Sequence, residues 1–210
     1  MNDAAYWNAY YKKNPPKNDP SDFAKSILAY VQQGKHLVDL GCGNGRDSLF
    51  FLENGVNVLG VDRSQIAIDA LRNMTATLKN VEFLCDDFIA NPLIYNRTYD
   101  YFYSRFTIHS ITENEQLILL SNVYNYLVHG GLFFIEVRGI HDDIYGKGEL
   151  VDRNTYIYNN HFRRFIVNDE LKESLVNLGF EILYNEESRG FAKNMDEDPI
   201  IIRIIARKNN

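Results

Sequence analysis

Short apolar runs alternate with amphipathic stretches along this chain. Residues 36–40, 56–61, 81–84, 99–103 and 132–137 are apolar runs of strand length. Between them the apolar positions follow helical spacing. Residues 47–53 put Leu49, Phe50 and Leu52 inward and end at Asn54-Gly55. Ser64 caps a helix running to Leu71, and Thr112-Glu113-Asn114-Glu115 has the capping-box pattern of a helix reaching about Leu127. His129-Gly130-Gly131 reads as a turn into the fifth strand. Asn168 is expected to cap a helix through Leu178, with Gly179 as its stop, and 180–184 and 200–206 are the last two strands. Strand alternating with helix predicts an α/β, doubly wound, mostly parallel sheet covered on both faces. Its ligand belongs beyond the carboxyl ends of the strands.

Two regions stand outside that alternation. Residues 1–34 are expected to be a helical cover. Tyr6, Trp7, Tyr10 and Tyr11 form an aromatic patch that Pro15-Pro16 breaks, and core cover is the preferred reading over a lid. A second helix carries Phe23, Ile27, Leu28 and Val31 and ends at Gly34. Residues 138–166 read as a long loop, an insert of a length that favours a functional lid lining an acceptor site. Residues 1–210 are expected to form a single domain.

The first strand leads into the stretch with the most chemistry, Val38-Asp39-Leu40-Gly41-Cys42-Gly43-Asn44-Gly45-Arg46. Glycines at alternate positions let a ligand approach the backbone closely. The second strand ends at Asp62, twenty-one residues beyond Gly41, where a carboxylate can accept hydrogen bonds from a ribose diol. Arg63 follows it. After the third strand come Asp86, Asp87 and Phe88, where one carboxylate could read an adenine edge while the other caps the next turn.

These residues resemble class I S-adenosylmethionine-dependent methyltransferases over roughly residues 20–137. The resemblance implies a Rossmann-like, seven-stranded sheet with an antiparallel last strand, and S-adenosylmethionine as cofactor. It implies that Gly41, Gly43 and Asn44 lie against the cofactor's methionine part, that Asp39 positions its amino-acid end, and that Asp62 holds the ribose hydroxyls, with Arg63 also in the cofactor site. Asp86 would then meet the adenine amino group, with Asp87, Phe88 and Tyr103 as further cofactor-binding residues. Arg46 stands where a dinucleotide fold carries its third glycine, which counts against an NAD(P)-dependent dehydrogenase.

Methyl transfer also needs an acceptor site. No Asn/Asp-Pro-Pro-aromatic run follows strand four, which argues against amino groups on bases. Arginines stand there instead: Arg105, then Arg138, with Arg163 and Arg164 in the insert. Guanidinium forks suit phosphate or carboxylate. Arg105 could equally pair with Glu136, and one of Arg163 and Arg164 is expected to face solvent. His109 and His161 are the candidate catalytic bases, and Tyr145 could line the pocket or simply fill space. Glu136-Val137-Arg138-Gly139, residues 142–148, His161-Phe162-Arg163-Arg164-Phe165 and residues 197–203 look like the motifs of small bacterial methyltransferases of surface-polysaccharide modification, including enzymes acting on a phosphoramidate capsule precursor. The expected partner is therefore a small anionic acceptor methylated on oxygen, with N-methylation and a non-catalytic cofactor-binding subunit as alternatives.

A net charge of −6 and a pI near 5.4 weigh against a broad nucleic-acid surface. Cys42 and Cys85 have neither metal nor disulfide spacing, so no metal is expected. No signal peptide or membrane-length apolar run is apparent, so a cytoplasmic protein that binds no membrane is expected, with a homodimer as one assembly.

Overall fold

The computed structural model describes residues 4–16, 19–193 and 197–209. Its main sheet holds seven strands in the order β3-β2-β1-β4-β5-β10-β9. They are β1 (His36–Leu40), β2 (Asn57–Asp62), β3 (Val81–Cys85), β4 (Tyr99–Arg105), β5 (Leu127–Arg138), β9 (Phe180–Ser188) and β10 (Ile201–Lys208). β1 pairs in parallel with β2 and β4, and β2 with β3. β10 runs antiparallel to both β5 and β9. This is the expected Rossmann-like, mostly parallel sheet with its last strand reversed.

The chain divides into two compact units, Met1–Tyr103 and Ser104–Asn210. In the first, α3 (Arg46–Glu53) and α4 (Gln65–Met74) follow β1 and β2. Ser64 caps α4 by accepting the Ala67 N–H, as its sequence position predicts. α2 (Asp22–Ile27) buries Phe23, Ala24 and Ile27 and covers the core. It stops short of the predicted end, because a 3₁₀ turn over Leu28–Tyr30 leads into extended backbone at Val31. α1 (Ala4–Lys13) departs from the core-cover expectation, since it has no buried residue. Its aromatic rings stack on one another instead, Trp7 against Tyr11 at 5.8 Å.

In the second unit, α5 (Glu113–Tyr126) opens with the predicted capping box between Thr112 and Glu115. The predicted turn at His129-Gly130-Gly131 lies within β5, where Gly130 takes a φ of 76°. The expected loop at 138–166 holds a separate antiparallel sheet of β6 (Glu149–Asp152), β7 (Thr155–Tyr158) and β8 (His161–Arg164). Asn159 and Asn160, with φ of 52° and 57°, make the tight turn between β7 and β8. Two successive left-handed residues match the twist of paired strands, and asparagine tolerates that conformation. α6 (Asn168–Leu178) ends at Gly179 as predicted, but Asn168 is not its cap. The Asn168 side chain exchanges hydrogen bonds with Asn185 on β9 instead.

Candidate functional site

The glycine turn lies at the carboxyl end of β1. Gly41, Gly43 and Gly45 all have positive φ, the last as the N-cap of α3. At Gly43 a Cβ would also collide with the Tyr11 hydroxyl. Glycine is therefore what lets the turn take this shape and lets Tyr11 approach its backbone.

Two buried carboxylates face this turn. Asp62 accepts the Gly43 N–H at 2.9 Å with Oδ2 and the Ser64 N–H at 2.8 Å with Oδ1. Burial raises its pKa, while the Ser64 and Gly43 amides and Arg63 pull it back. Asp39 accepts the Ser48 hydroxyl at 2.6 Å. Cys42 is buried, and its thiol is pushed well up by desolvation and by Asp39 and Asp62. Such a thiol is no nucleophile; the small side chain fits beside Gly60, where a Cβ would strike Phe83. Asn44 donates to the Pro15 carbonyl at 3.2 Å, tying the turn to the segment after α1.

The residues after β3 divide their tasks. Arg63 pairs with Asp87, whose other oxygen accepts the Ile89 N–H. Asp87 thus shapes the turn, and Asp86 is the exposed acid at the strand end. Two expected cofactor residues are packed into the core. Phe88 is buried, and its carbonyl accepts the Tyr95 hydroxyl. Tyr103 is also buried, stacked on Phe23 at 5.4 Å, with its hydroxyl donating to Asp47 at 2.7 Å. Ser21 binds the same carboxylate through its N–H and hydroxyl. Tyr103 therefore holds α2 and α3 against the sheet.

The second unit gathers the arginines and histidines. Phe106, at the end of β4, has a φ of 57°, rare for a bulky residue. The Arg105 guanidinium lies 4.5 Å and the Arg138 guanidinium 5.6 Å from its ring centroid. The His109 ring lies 5.7 Å away. Each arginine is anchored by a buried carboxylate. Arg105 donates to Glu136 at 2.8 Å, as does Arg203 at 2.6 Å, and Arg138 donates to Asp142 at 2.6 Å. The sequence alternative of an Arg105–Glu136 pair is thus present, and a guanidinium has five donors to share.

Arg163 and Arg164 are both half-buried, so neither faces solvent as expected. Arg164 donates to the Ile111 carbonyl and to Gln116, securing the start of α5. Arg163 lies beside the histidines: after burial, it is the largest influence lowering the pKa of both His109 and His161. His161 is lowered to about 4, with Arg138 contributing. Burial, then Arg163, holds the His109 imidazole well below its ordinary range, and its buried Nδ1 has no hydrogen-bond partner. Tyr145 bonds Asn154 and packs edge-on against Tyr156 and Phe165, which makes it part of the small sheet's own packing. Two residues are added to the candidate site, Tyr11 and Phe106. No sequence signal ties Tyr11 to the glycine turn some thirty residues later, and the only one for Phe106 is that it follows Arg105 at the end of the fourth strand.

Among the described residues no group of three His, Cys, Asp or Glu side chains could hold a metal ion. No helix there is long and apolar enough to cross a membrane.

The sequence profile of a family described as a methyltransferase domain matches residues 12–185. A carboxy-S-adenosyl-L-methionine synthase of Psychromonas ingrahamii is 30% identical over 118 residues, 53% of this chain and 48% of that protein. The chain thus matches about half the length of that curated relative. Among solved structures, an S-adenosylmethionine-dependent methyltransferase from Methanosarcina mazei superposes with a TM-score of 0.75 at 18% identity, covering 88% of this chain and 97% of that one. A 1,6-didemethyltoxoflavin-N1-methyltransferase of Burkholderia thailandensis with bound S-adenosylhomocysteine gives 0.66 at 18%, covering 90% and 77%. S-adenosylmethionine is the cofactor that this family match supports. With most of its length matched by that profile, the chain belongs to the methyltransferase-domain family.

Proposed function

We propose that this protein transfers a methyl group from S-adenosylmethionine to an oxygen of a small anionic acceptor, a phosphorylated or phosphoramidate metabolite of surface-polysaccharide modification. The observation that carries the anionic part is the convergence of Arg105 and Arg138 on Phe106, each guanidinium set by a buried carboxylate. Pre-set arginine forks bind a planar or tetrahedral anion with little reorganisation. Arg163 adds a third cation beside the histidines.

The cofactor supplies a methyl carbon activated by a sulfonium. Asp62 and Asp39 would hold its hydroxyl and ammonium groups, and Asp86 would meet its adenine. When bound, the cofactor would offer that carbon to an acceptor oxygen in line with the sulfur, so the protein's work is alignment. An oxygen that is already anionic needs no base. A hydroxyl does, and His161 is then the acceptor of its proton: its imidazole is neutral at pH 7, and an anion bound at the arginines offsets the charge that lowers its pKa.

The test is transfer of a labelled methyl group across a panel of phosphate and phosphoramidate metabolites, each paired with its neutral hydroxyl analogue. Label is expected on oxygen in the anionic members only. Label on the neutral analogues, or on nitrogen, contradicts this acceptor class.

A further inference from the structure

α1 has no core of its own, yet it is fastened to the loops that build the cofactor cradle. Asn8 Oδ1 accepts the Ser64 hydroxyl at 2.8 Å and the Ile66 N–H at 3.2 Å, both at the start of α4. Pro15, just past the helix, accepts from Asn44 of the glycine turn. Between these two anchors Tyr11 reaches over Gly43, where only a glycine leaves room for its hydroxyl. The neighbouring charges are acidic: Asp62 and Asp39.

That environment decides what the phenol can do. Burial and the two carboxylates push its pKa well up, so it is a neutral O–H donor. The cofactor's amino-acid end carries an ammonium and a carboxylate. Asp39 and Asp62 suit the ammonium and the ribose hydroxyls but repel the carboxylate. A donor at the same turn suits that carboxylate.

We propose that Tyr11 is a cofactor-binding residue that donates its hydroxyl to the carboxylate of S-adenosylmethionine, and that α1 closes over the cofactor's amino-acid end. The proposal rests on the glycine turn being the cofactor site. It assigns the N-terminal helix to ligand binding.

The chain carries its own reporter. Trp7 is the one tryptophan, and it stacks on Tyr11 at an interplanar angle of 22°. Wild type, Tyr11→Phe and Tyr11→Ala are titrated with S-adenosylhomocysteine and with 5′-methylthioadenosine, which lacks the amino-acid end. Binding is read by calorimetry and by Trp7 emission. S-adenosylhomocysteine should shift Trp7 emission in wild type. Its affinity should fall about tenfold in Tyr11→Ala, as for one lost hydrogen bond to a charged group, and nearly as far in Tyr11→Phe, which keeps the ring. Methylthioadenosine should bind all three proteins alike. Unchanged S-adenosylhomocysteine affinity in both variants, or an equal loss for methylthioadenosine, overturns the proposal. Failure of wild type to bind S-adenosylhomocysteine overturns the assignment of the turn itself, and with it this inference.

Discussion

Asp62 accepts the Gly43 N–H at 2.9 Å, so the carboxylate expected to bind ribose also sets the shape of the glycine turn. Its second oxygen holds the start of α4 through Ser64. One side chain thus fixes both the glycine turn and the start of α4.

Asp62→Asn keeps one acceptor and loses the charge. Cofactor affinity should fall by about 1.5–3 kcal/mol, the worth of a charged hydrogen bond. Calorimetry with S-adenosylhomocysteine measures it, and unchanged affinity in a folded variant contradicts the role of Asp62.

Tyr103 gives the opposite expectation. Its hydroxyl donates to buried Asp47, which also holds Ser21. Tyr103→Phe should lower unfolding stability by about 1–2 kcal/mol and leave cofactor affinity unchanged. Urea titration and calorimetry on one preparation separate the two. A loss of cofactor affinity at wild-type stability would return Tyr103 to the binding site.

Arg105 shares buried Glu136 with Arg203. Removing one of two cations leaves the carboxylate short of a partner in a place water cannot reach. Arg105→Ala should therefore cost about 2 kcal/mol of stability as well as acceptor binding. Arg105→Ala with Glu136→Gln should recover part of the stability and none of the acceptor binding. Full recovery of both would make the pair purely structural.

His161 predicts a pH dependence. Burial, then Arg163 and Arg138, lower its pKa from 6.5 to about 4. Above pH 6.5 the imidazole is neutral in the folded and unfolded chains, and its contribution is constant. As pH falls from 6.5 toward 4, the unfolded chain takes up a proton that the folded one excludes, so stability is lost. His161→Gln should lose less stability than wild type over that window. Denaturant titrations at stepped pH give the comparison, and parallel curves would contradict a buried neutral His161.

The parts legible in the sequence are those whose chemistry is local. The glycine turn, the Ser64 cap, the Thr112–Glu115 box and the stop at Gly179 each depend on residues a few positions apart. The parts missed depend on distant partners. Asn168 looks like a cap until Asn185 takes its side chain. Tyr103 looks like a site residue until Asp47, on another element, takes its hydroxyl. The hairpin at Asn159-Asn160 did carry a local signal, two turn residues between Tyr-Ile-Tyr and His-Phe-Arg, but the stretch lacks the Gly or Pro that marks most turns. Nothing in a phenylalanine announces the positive φ of Phe106.

The central claim is that the glycine turn holds S-adenosylmethionine and not a dinucleotide. Equilibrium dialysis of the wild-type protein against S-adenosylhomocysteine, with NAD and NADP as competitors, tests it most directly. Saturable S-adenosylhomocysteine binding at one site per chain, displaced by neither dinucleotide, is expected. Displacement by NAD or NADP, or no binding of S-adenosylhomocysteine, would contradict it.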